Sequence, residues 1–245
     1  NVNRWLSLLF AIGITLLGPQ VFRMGGHLAL SYSFAIPLSW LLIIRSLKNQ
    51  QRYLYTAMVF LNNTFWFFVH AYLGIIISFF LILILILHII SDNERMKHLR
   101  HNATLLAALI LPVLVFLMFV KFTDTHTGRT DKPTGFFLFV AESDDVFVPS
   151  HPPLRPVLDT LTGNGIRQQW EAWSYLGLFS SLLLLVFIFM GLYRLARRKK
   201  TVIDRFFTNP MVNISLVAAF LVLLFAMAVP FRQFPSLAEI VPFIK

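Results

Sequence analysis

The sequence predicts an all-α polytopic membrane protein with about seven transmembrane helices and one long extracytoplasmic loop. Three observations lead to this fold class. The 245-residue chain is 57% hydrophobic and only 13% charged, which is unlike a soluble domain. Seven apolar runs carry no Asp, Glu, Lys or Arg, and most approach the ~17–25 residues that a helix needs to cross hydrocarbon. Segments rich in Lys and Arg fill alternate gaps between these runs.

The apolar runs set the order of the predicted helices. They cover residues 5–17, 28–44, 53–69, 73–90, 103–120, 172–193 and 211–229. The first run is the shortest, at about 20 Å of helix, so a truncated, a tilted and a partly inserted helix all stay open. Pro37 and Pro112 lie inside the second and fifth runs, where kinks are expected.

A polar trio interrupts the third run. Asn62, Asn63 and Thr64 fall in its middle, and an amide that faces lipid is costly. These side chains are therefore expected to face other helices or a wet cavity. Hydrogen bonds between helices are the simpler of the two alternatives.

The charges predict the orientation of the helices. If successive runs cross the membrane in opposite directions, one side of the membrane holds thirteen Lys and Arg residues and three acids. The other side then holds eight Lys and Arg residues and eight acids. Because an excess of Lys and Arg marks the cytoplasmic side, loops 45–52, 91–102 and 194–210 are predicted to be cytoplasmic. Membrane lipid, anionic at the inner leaflet, is the expected partner of that face. A nucleic-acid partner is not expected, since the sequence builds no basic groove with stacking aromatics.

Residues 1–245 are predicted to form a single membrane domain, in which 121–171 is an extracytoplasmic loop subdomain. The chain begins with Asn1, and Arg4 followed by an apolar run resembles the start of a signal peptide. Residues 18–20 make a poor cleavage site, however, so a C-terminal portion of a longer protein is expected. The absence of cysteine excludes disulfides and thiolate metal sites.

The loop 121–171 is too long for a simple connector. Segments 135–140 and 146–148 are apolar and β-prone. Prolines that oppose regular structure then follow at Pro149, Pro152, Pro153 and Pro156. A short cap of mixed or irregular structure on the outer membrane surface is therefore expected.

Reactive side chains gather on the predicted outer face. Four loops supply Arg, His and carboxylate groups there, and Arg binds the phosphate oxygens of an anionic lipid-linked substrate in a bidentate manner. The candidate substrate-binding residues are Arg23, His27, His70, Tyr72, Arg155, Glu171 and Tyr175. Glu171 and His27 are the candidate catalytic residues. A carboxylate at the head of the sixth helix, where Glu171 lies, also stabilises the positive helix end, which explains it about as well.

Asp144 and Asp145 are weak candidates for a metal site. A divalent cation such as Mg²⁺ or Mn²⁺ prefers carboxylate oxygens, but adjacent acids in a loop are more often solvated, so no cofactor is required. Three further histidines lie at the predicted cytoplasmic side and are assigned no function: His88, His98 and His101.

Three short segments carry a family resemblance. Residues 19–31, 70–72 and 169–178 read PQVFRMGGHLALS, HAY and QWEAWSYLGL. They resemble the Arg…Gly-His…Leu, His-x-Tyr and Glu-Gly-x-x-Tyr-Leu-Gly segments of a family of bacterial multipass proteins, mostly uncharacterised, with the glycosyltransferase C-type (GT-C) architecture. Ala172 stands where that family usually has glycine.

The resemblance implies a glycosyltransferase in the bacterial cytoplasmic (inner) membrane that transfers a sugar from a polyprenyl-phosphate donor to an extracytoplasmic acceptor. Arg23 and His27 would contact the phosphate of this lipid-linked partner, with Glu171 and Tyr175 on the acceptor side. In such enzymes an Asp of the first outer loop acts as base or metal ligand, whereas residues 18–27 contain no acid. If the chain is a C-terminal portion, that Asp lies upstream, so whether these residues form a complete enzyme stays open.

Two functions of other classes also stay open. A transporter or flippase for a lipid-linked envelope precursor would place charges at the membrane midplane and repeat its architecture. The sequence offers only Asn62 and Asn63 at midplane depth and no internal repeat. A non-catalytic membrane scaffold would use the long loop to bind a partner in the envelope.

Overall fold

A computed structural model describes residues 4–16, 31–94, 96–125, 140–149, 154–162, 177–197 and 208–234. Regular structure within these ranges is entirely helical, which confirms the all-α prediction for this part of the chain. Its helices are α1 (Arg4–Leu16), α2 (Ala35–Lys48), α3 (Arg52–Val69), α4 (Ala71–Ser91), α5 (Leu99–Thr123), α6 (Ser143–Phe147), α7 (Leu154–Thr162), α8 (Leu178–Arg197), α9 (Pro210–Ala226) and α10 (Val229–Gln233).

The chain divides into two compact units. The bundle unit comprises residues 24–129 and 207–222, and it contains α2 to α5 with most of α9. The terminal unit comprises residues 1–23, 130–206 and 223–245, and it contains α1, α6, α7, α8 and α10.

Helix α3 is the centre of the bundle unit, because it packs against α2, α4 and α5. Its residues Val59, Trp66 and Phe67 are almost completely buried. The apolar core continues through Leu42 and Ile43 of α2, Ile77, Leu81, Ile84 and Leu85 of α4, Leu105 and Leu109 of α5, and Met211, Ile214 and Ala218 of α9. Residues from five helices therefore share one core, which is what holds a helical bundle together in the absence of disulfides.

The polar trio of α3 bonds to neighbouring helices, as the sequence predicts. Asn62 Nδ2 donates to Ser39 Oγ of α2 at 2.7 Å. Asn63 is fully buried, and its Nδ2 donates to Ser78 Oγ of α4 at 2.8 Å and to Leu109 O of α5 at 3.3 Å. The two amides thus connect α3 to all three of its main neighbours. The prediction of interhelical hydrogen bonds is confirmed.

A single residue, His70, joins α3 to α4. Its extended backbone (φ −163°, ψ 111°) ends one helix and starts the next. The His70 N–H donates to Trp66 O at 2.9 Å, and His70 O accepts from Gly74 N–H at 3.1 Å. So short a connection needs a close approach of the two helices, which Gly74 permits. A Cβ atom at that position would lie only 2.7 Å from the Phe67 ring.

Two of the seven predicted spans are helices that are long and apolar enough to cross a membrane: α4, of 21 residues, and α5, of 25 residues. Helix α3 has 18 residues, but Arg52 and the two asparagines lower its hydropathy. The described part of the chain also contains shorter apolar helices, which are α1, α9 and the apolar part of α8. The count of seven spans is therefore not confirmed by length and composition.

The two long helices expose much of their apolar surface. Only 39% of the apolar window of α4 and 22% of that of α5 is buried. On α5, Leu117, Met118 and Phe122 are all more than half exposed. Continuous exposed apolar faces of this kind mark a lipid or protein contact, because a helix in the core of a soluble domain would be covered.

The predicted kink at Pro37 is wrong, because α2 begins at Ala35 and Pro37 lies in its first turn. A proline there removes no intrahelical hydrogen bond, since the first N–H groups of a helix have no partner in the helix. Pro112 lies inside α5, as predicted, and is buried.

Two expectations about the long loop are also wrong. Val146 and Phe147, predicted to be β-prone, belong to α6. The carboxylate of Asp145 accepts a hydrogen bond from the Glu142 N–H at 3.0 Å, and this contact, in which the third residue of a helix reaches back to the residue before it, favours a helix start. Pro156 does not prevent regular structure, because it is the third residue of α7, where proline is tolerated. Residues 135–139 and 150–153 lie outside the described part.

In the terminal unit, α1 contacts α8. The segment before α6 is anchored by the Ala141 N–H, which donates to Ala226 O at 3.1 Å. Ala228, between α9 and α10, is fully buried and has a φ of 51°. A left-handed residue after a helix allows its N–H to satisfy a carbonyl of the last turn, here Phe225 O at 2.9 Å.

Replacing Gly74 by Ala tests the close contact between α3 and α4. We expect Gly74→Ala to lower the melting temperature of the detergent-purified protein, because overpacking of a core costs about 1–3 kcal/mol. Gly191→Ala in α8 is the matched control, since a Cβ there meets nothing within 4 Å, and alanine favours a helix by up to ~1 kcal/mol. Equal melting temperatures for the two variants would contradict this packing.

Candidate functional site

The predicted site residues fall into three groups. Arg23, His27, Glu171 and Tyr175 lie outside the described residues. His70 and Tyr72 belong to the bundle unit. The remaining candidates, Arg155, Asp144 and Asp145, belong to the terminal unit.

In the bundle unit, the turn at His70 presents polar groups at the end of the α3–α4 hairpin. The Nδ1 atom of His70 is buried and has no hydrogen-bond partner among the described residues. Tyr72, two residues on, is 73% exposed, and its ring centroid lies 6.1 Å from that of His70. One turn therefore carries an imidazole ring, in which one nitrogen donates and the other accepts, and an exposed phenol hydroxyl, which can do both.

An aromatic cluster supports this turn. Trp66, whose carbonyl accepts the His70 N–H, is 1% exposed. Its ring lies within 5.1–5.7 Å, centroid to centroid, of the rings of Tyr32, Phe34 and Phe65. The Trp66 Nε1 donates to Asn62 Oδ1 at 3.2 Å, so the polar trio also fixes the indole. The packed aromatic rings thus hold the turn in place.

In the terminal unit, Glu142 and Arg232 form an ion pair with an N–O distance of 2.7 Å. The hydrogen bond from Arg232, together with its positive charge, lowers the pKa of the Glu142 carboxyl. Asp145 follows Glu142 by three residues and is 2% exposed. Its Oδ2 caps α6, whereas its Oδ1 is buried without a partner among the described residues.

Arg155 lies in α7 and is explained in part by a structural contact. Its Nε donates to Asp159 Oδ1 at 2.7 Å, one helical turn away. Such a pair within one helix adds about 0.2–0.5 kcal/mol to the stability of the helix. The role of Arg155 in substrate binding stays a prediction.

Across the described residues, no group of three or more His, Asp or Glu could hold a metal ion. Asp145 already uses one carboxylate oxygen as a helix cap, a role that needs no cation. Asp144 lies in α6. The geometry of the described residues therefore adds no support for Asp144 and Asp145 as a weak candidate site for Mg²⁺ or Mn²⁺.

The bundle unit also contains a buried polar cluster, formed by Ser46, Thr56 and His101, that the sequence does not predict. The Oγ atoms of Ser46 and Thr56 are 2.7 Å apart, and His101 Nε2 lies 3.2 Å from the first and 3.3 Å from the second. All three side chains are at most 4% exposed. The sequence assigns no function to His101, and no sequence signal pairs it with Thr56 or Ser46, which precede it by 45 and 55 residues.

Comparison with known proteins identifies a family but no activity. Residues 1–233 match the model of a family described as a domain of unknown function, DUF6311. No curated protein and no solved structure matches the chain.

The ion pair of the terminal unit predicts a pH dependence. Because the pKa of Glu142 is lowered in the folded state, the ionised carboxylate stabilises the fold at neutral pH, and this contribution is lost as the pH falls through the lowered pKa. The effect is at most about 1 kcal/mol, since both side chains are half exposed. Melting temperatures measured from pH 7 to pH 3 should fall less steeply for Glu142→Gln than for the native chain.

Arg232→Gln is the matched partner of that variant. Because each change removes the same ion pair, the double variant should behave like either single variant rather than show the sum of the two effects. A native pH profile in Glu142→Gln would contradict the assignment.

Proposed function

The chain belongs to the DUF6311 family, and we propose that it is a membrane-embedded, glycosyltransferase-like protein that uses a polyprenyl-phosphate sugar donor on the extracytoplasmic face of a bacterial cytoplasmic membrane. The observation that supports this proposal most is the His70 turn, where a buried imidazole nitrogen that has no hydrogen-bond partner among the described residues lies close to an exposed phenol. The His-x-Tyr motif at this turn is one of the three segments that resemble the GT-C proteins.

The direction of the hairpin supports the placement of the turn outside the cytoplasm. Helix α3 starts at Arg52 and ends beside His70, and its 18 residues span about 27 Å. Lys97 lies in the loop after α4 and Arg100 lies in the first turn of α5, so the basic residues lie at the end of the hairpin away from His70. Since basic loops are retained in the cytoplasm, His70 and Tyr72 are assigned to the opposite face.

The chemistry of the turn suits phosphate binding. A neutral imidazole donates a hydrogen bond through one of its ring nitrogens, which can reach a phosphate oxygen, and the Tyr72 hydroxyl is a second donor. The exposed apolar faces of α4 and α5 suit the contact with lipid that a polyprenyl donor requires. We assign the catalytic acid or base to none of the described residues. Arg23, His27, Glu171 and Tyr175 keep the roles that the resemblance implies.

A flippase is the nearest rival, and the geometry favours it less. Transport would need polar groups of the midplane to be available to a passing headgroup. The polar side chains at that depth of α3 are Asn62 and Asn63, and their amides donate to Ser39, Ser78 and Leu109. A flippase moves its lipid intact, whereas a transferase releases free polyprenyl phosphate, so the product distinguishes the two.

Single cysteines test the proposed topology, because the native chain has none. Tyr72→Cys and Leu161→Cys should react with a membrane-impermeant maleimide in intact spheroplasts. Met96→Cys, in the loop between α4 and α5, should react only after the membrane is opened. The native residues at these positions are 73%, 76% and 74% exposed, so accessibility within the protein is matched. Labelling of all three from outside would contradict the topology.

Replacing His70 tests the proposed site. In membranes that contain the full-length protein and an undecaprenyl-phosphate-linked radiolabelled hexose, we expect His70→Ala to lower kcat/KM for transfer by about tenfold to a hundredfold. A lost hydrogen bond to a charged group costs about 1.5–3 kcal/mol. Tyr72→Phe should lower it too, and so should Arg23→Ala, His27→Ala and Glu171→Gln.

His98→Ala, a histidine change in the loop between α4 and α5, is the matched control and should leave transfer unchanged. Native transfer by His70→Ala would exclude the turn from the site. Absence of polyprenyl phosphate release by the native protein, with every hexose donor offered, would exclude the enzyme.

A further inference from the structure

The basic end of the bundle unit, defined here as Arg45, Lys48, Arg52, Lys97 and Arg100, lies away from the His70 turn. Its described acidic neighbours are Asp92 and Glu94, and Glu94 pairs with Lys97 at 2.6 Å. Arg45, Lys48, Lys97 and Arg100 are exposed, and Arg52 is half-buried. Cations therefore outnumber acids at this end, and a net positive charge stays available to an outside partner.

The buried cluster of Ser46, Thr56 and His101 brings this end together. Thr56 Oγ1 donates to the Arg52 carbonyl at 2.9 Å, and the Ser46 and His101 side chains meet it within 3.3 Å. The three residues come from the end of α2, the start of α3 and the start of α5. Arg45 and Arg100 are their immediate neighbours in sequence. The cluster thus sets three arginine-bearing backbone segments side by side.

Arg52 is held in a defined orientation at this end. Its guanidinium carbon lies 5.3 Å from the centroid of the Tyr53 ring, and Tyr53 in turn packs edge-on against His101 at 5.6 Å. A guanidinium stacked on a ring keeps its N–H edge free for a bidentate contact with phosphate oxygens. Tyr53 is 47% exposed, which suits the boundary between headgroups and hydrocarbon.

Two helices begin at this end without negative charge. Neither α3 nor α5 has an acid in its first turn or a hydrogen bond from a capping side chain. Both place an arginine in the first turn, although acids are favoured there. An external anion would therefore stabilise both helix starts together with the arginines.

We infer that the basic end binds the phosphate of an anionic membrane phospholipid. Apolar side chains on the same helices and loop distinguish a lipid from a soluble phosphate. Leu54, Met96 and Leu99 are 55%, 74% and 57% exposed beside the cations. A phospholipid covers both the charges and these side chains, whereas free phosphate covers only the charges. This inference rests on the proposed membrane placement but not on sugar transfer.

Binding of a fluorescent short-chain phosphatidylglycerol to the full-length protein in neutral detergent tests the inference, with no sugar donor present. The triple variant R45Q/R52Q/R100Q should bind at least tenfold more weakly, because each exposed ion pair with the phosphate contributes up to about fivefold. R45Q and R100Q alter exposed side chains, so each should fold and weaken binding about fivefold. K121Q is the matched control, since Lys121 is an exposed cation at the opposite end of α5.

The competing sources of phosphate form separate arms of the experiment. Unlabelled phosphatidylglycerol is first used to find the concentration that displaces half of the probe. At that same concentration, phosphatidylcholine and inorganic phosphate should each leave the probe bound. Equal displacement by inorganic phosphate would overturn the assignment to a lipid. Native affinity in R45Q, R100Q and the triple variant, or equal weakening in K121Q, would overturn the site itself. Since no sugar is transferred in this assay, its outcome is separate from that of the transfer assay.

Discussion

The bundle unit depends on one constraint: amides placed among apolar side chains must find hydrogen-bond partners inside the protein. Asn63 is fully buried on α3 and meets this constraint through Ser78 of α4 and the Leu109 carbonyl of α5. Asn62 does so through Ser39 of α2. Dispersion and hydrophobic contacts tolerate small shifts of one helix along another, whereas these bonds do not. The register of four helices is therefore set at the level of the two asparagines.

The two ends of the bundle unit follow from that register. At one end, a connection of one residue is possible only because Gly74 lets α4 approach the Phe67 ring, and this leaves the His70 imidazole beside the aromatic cluster of Trp66. At the other end, the Ser46, Thr56 and His101 cluster sets the arginine-bearing helix ends side by side. A polar turn and a basic surface are thereby separated by the length of α3, which is the arrangement that an asymmetric membrane favours.

The terminal unit shows where local rules fail in short segments. Val146 and Phe147 have β-prone side chains but form part of α6, because the Asp145 carboxylate bonds to the Glu142 N–H and starts a helical turn. Pro156 falls in the first turn of α7, where its missing N–H has no consequence. In both cases the position of a residue relative to a helix start outweighs its average preference for one type of secondary structure. Moving the residue by two or three positions would therefore reverse the expected structure.

The sequence by itself determined the helical class, the approximate course of the helices and the need of Asn62 and Asn63 for partners. These follow from the period and the polarity of the chain, which are local properties. Only the tertiary structure decided which groups those partners are and that His101 joins Ser46 and Thr56. It also decided that His70 keeps a buried nitrogen without a described partner. The reason is that such contacts join residues far apart in the chain. Whether two such residues meet depends on the packing of whole helices, and the local sequence around each residue does not show it.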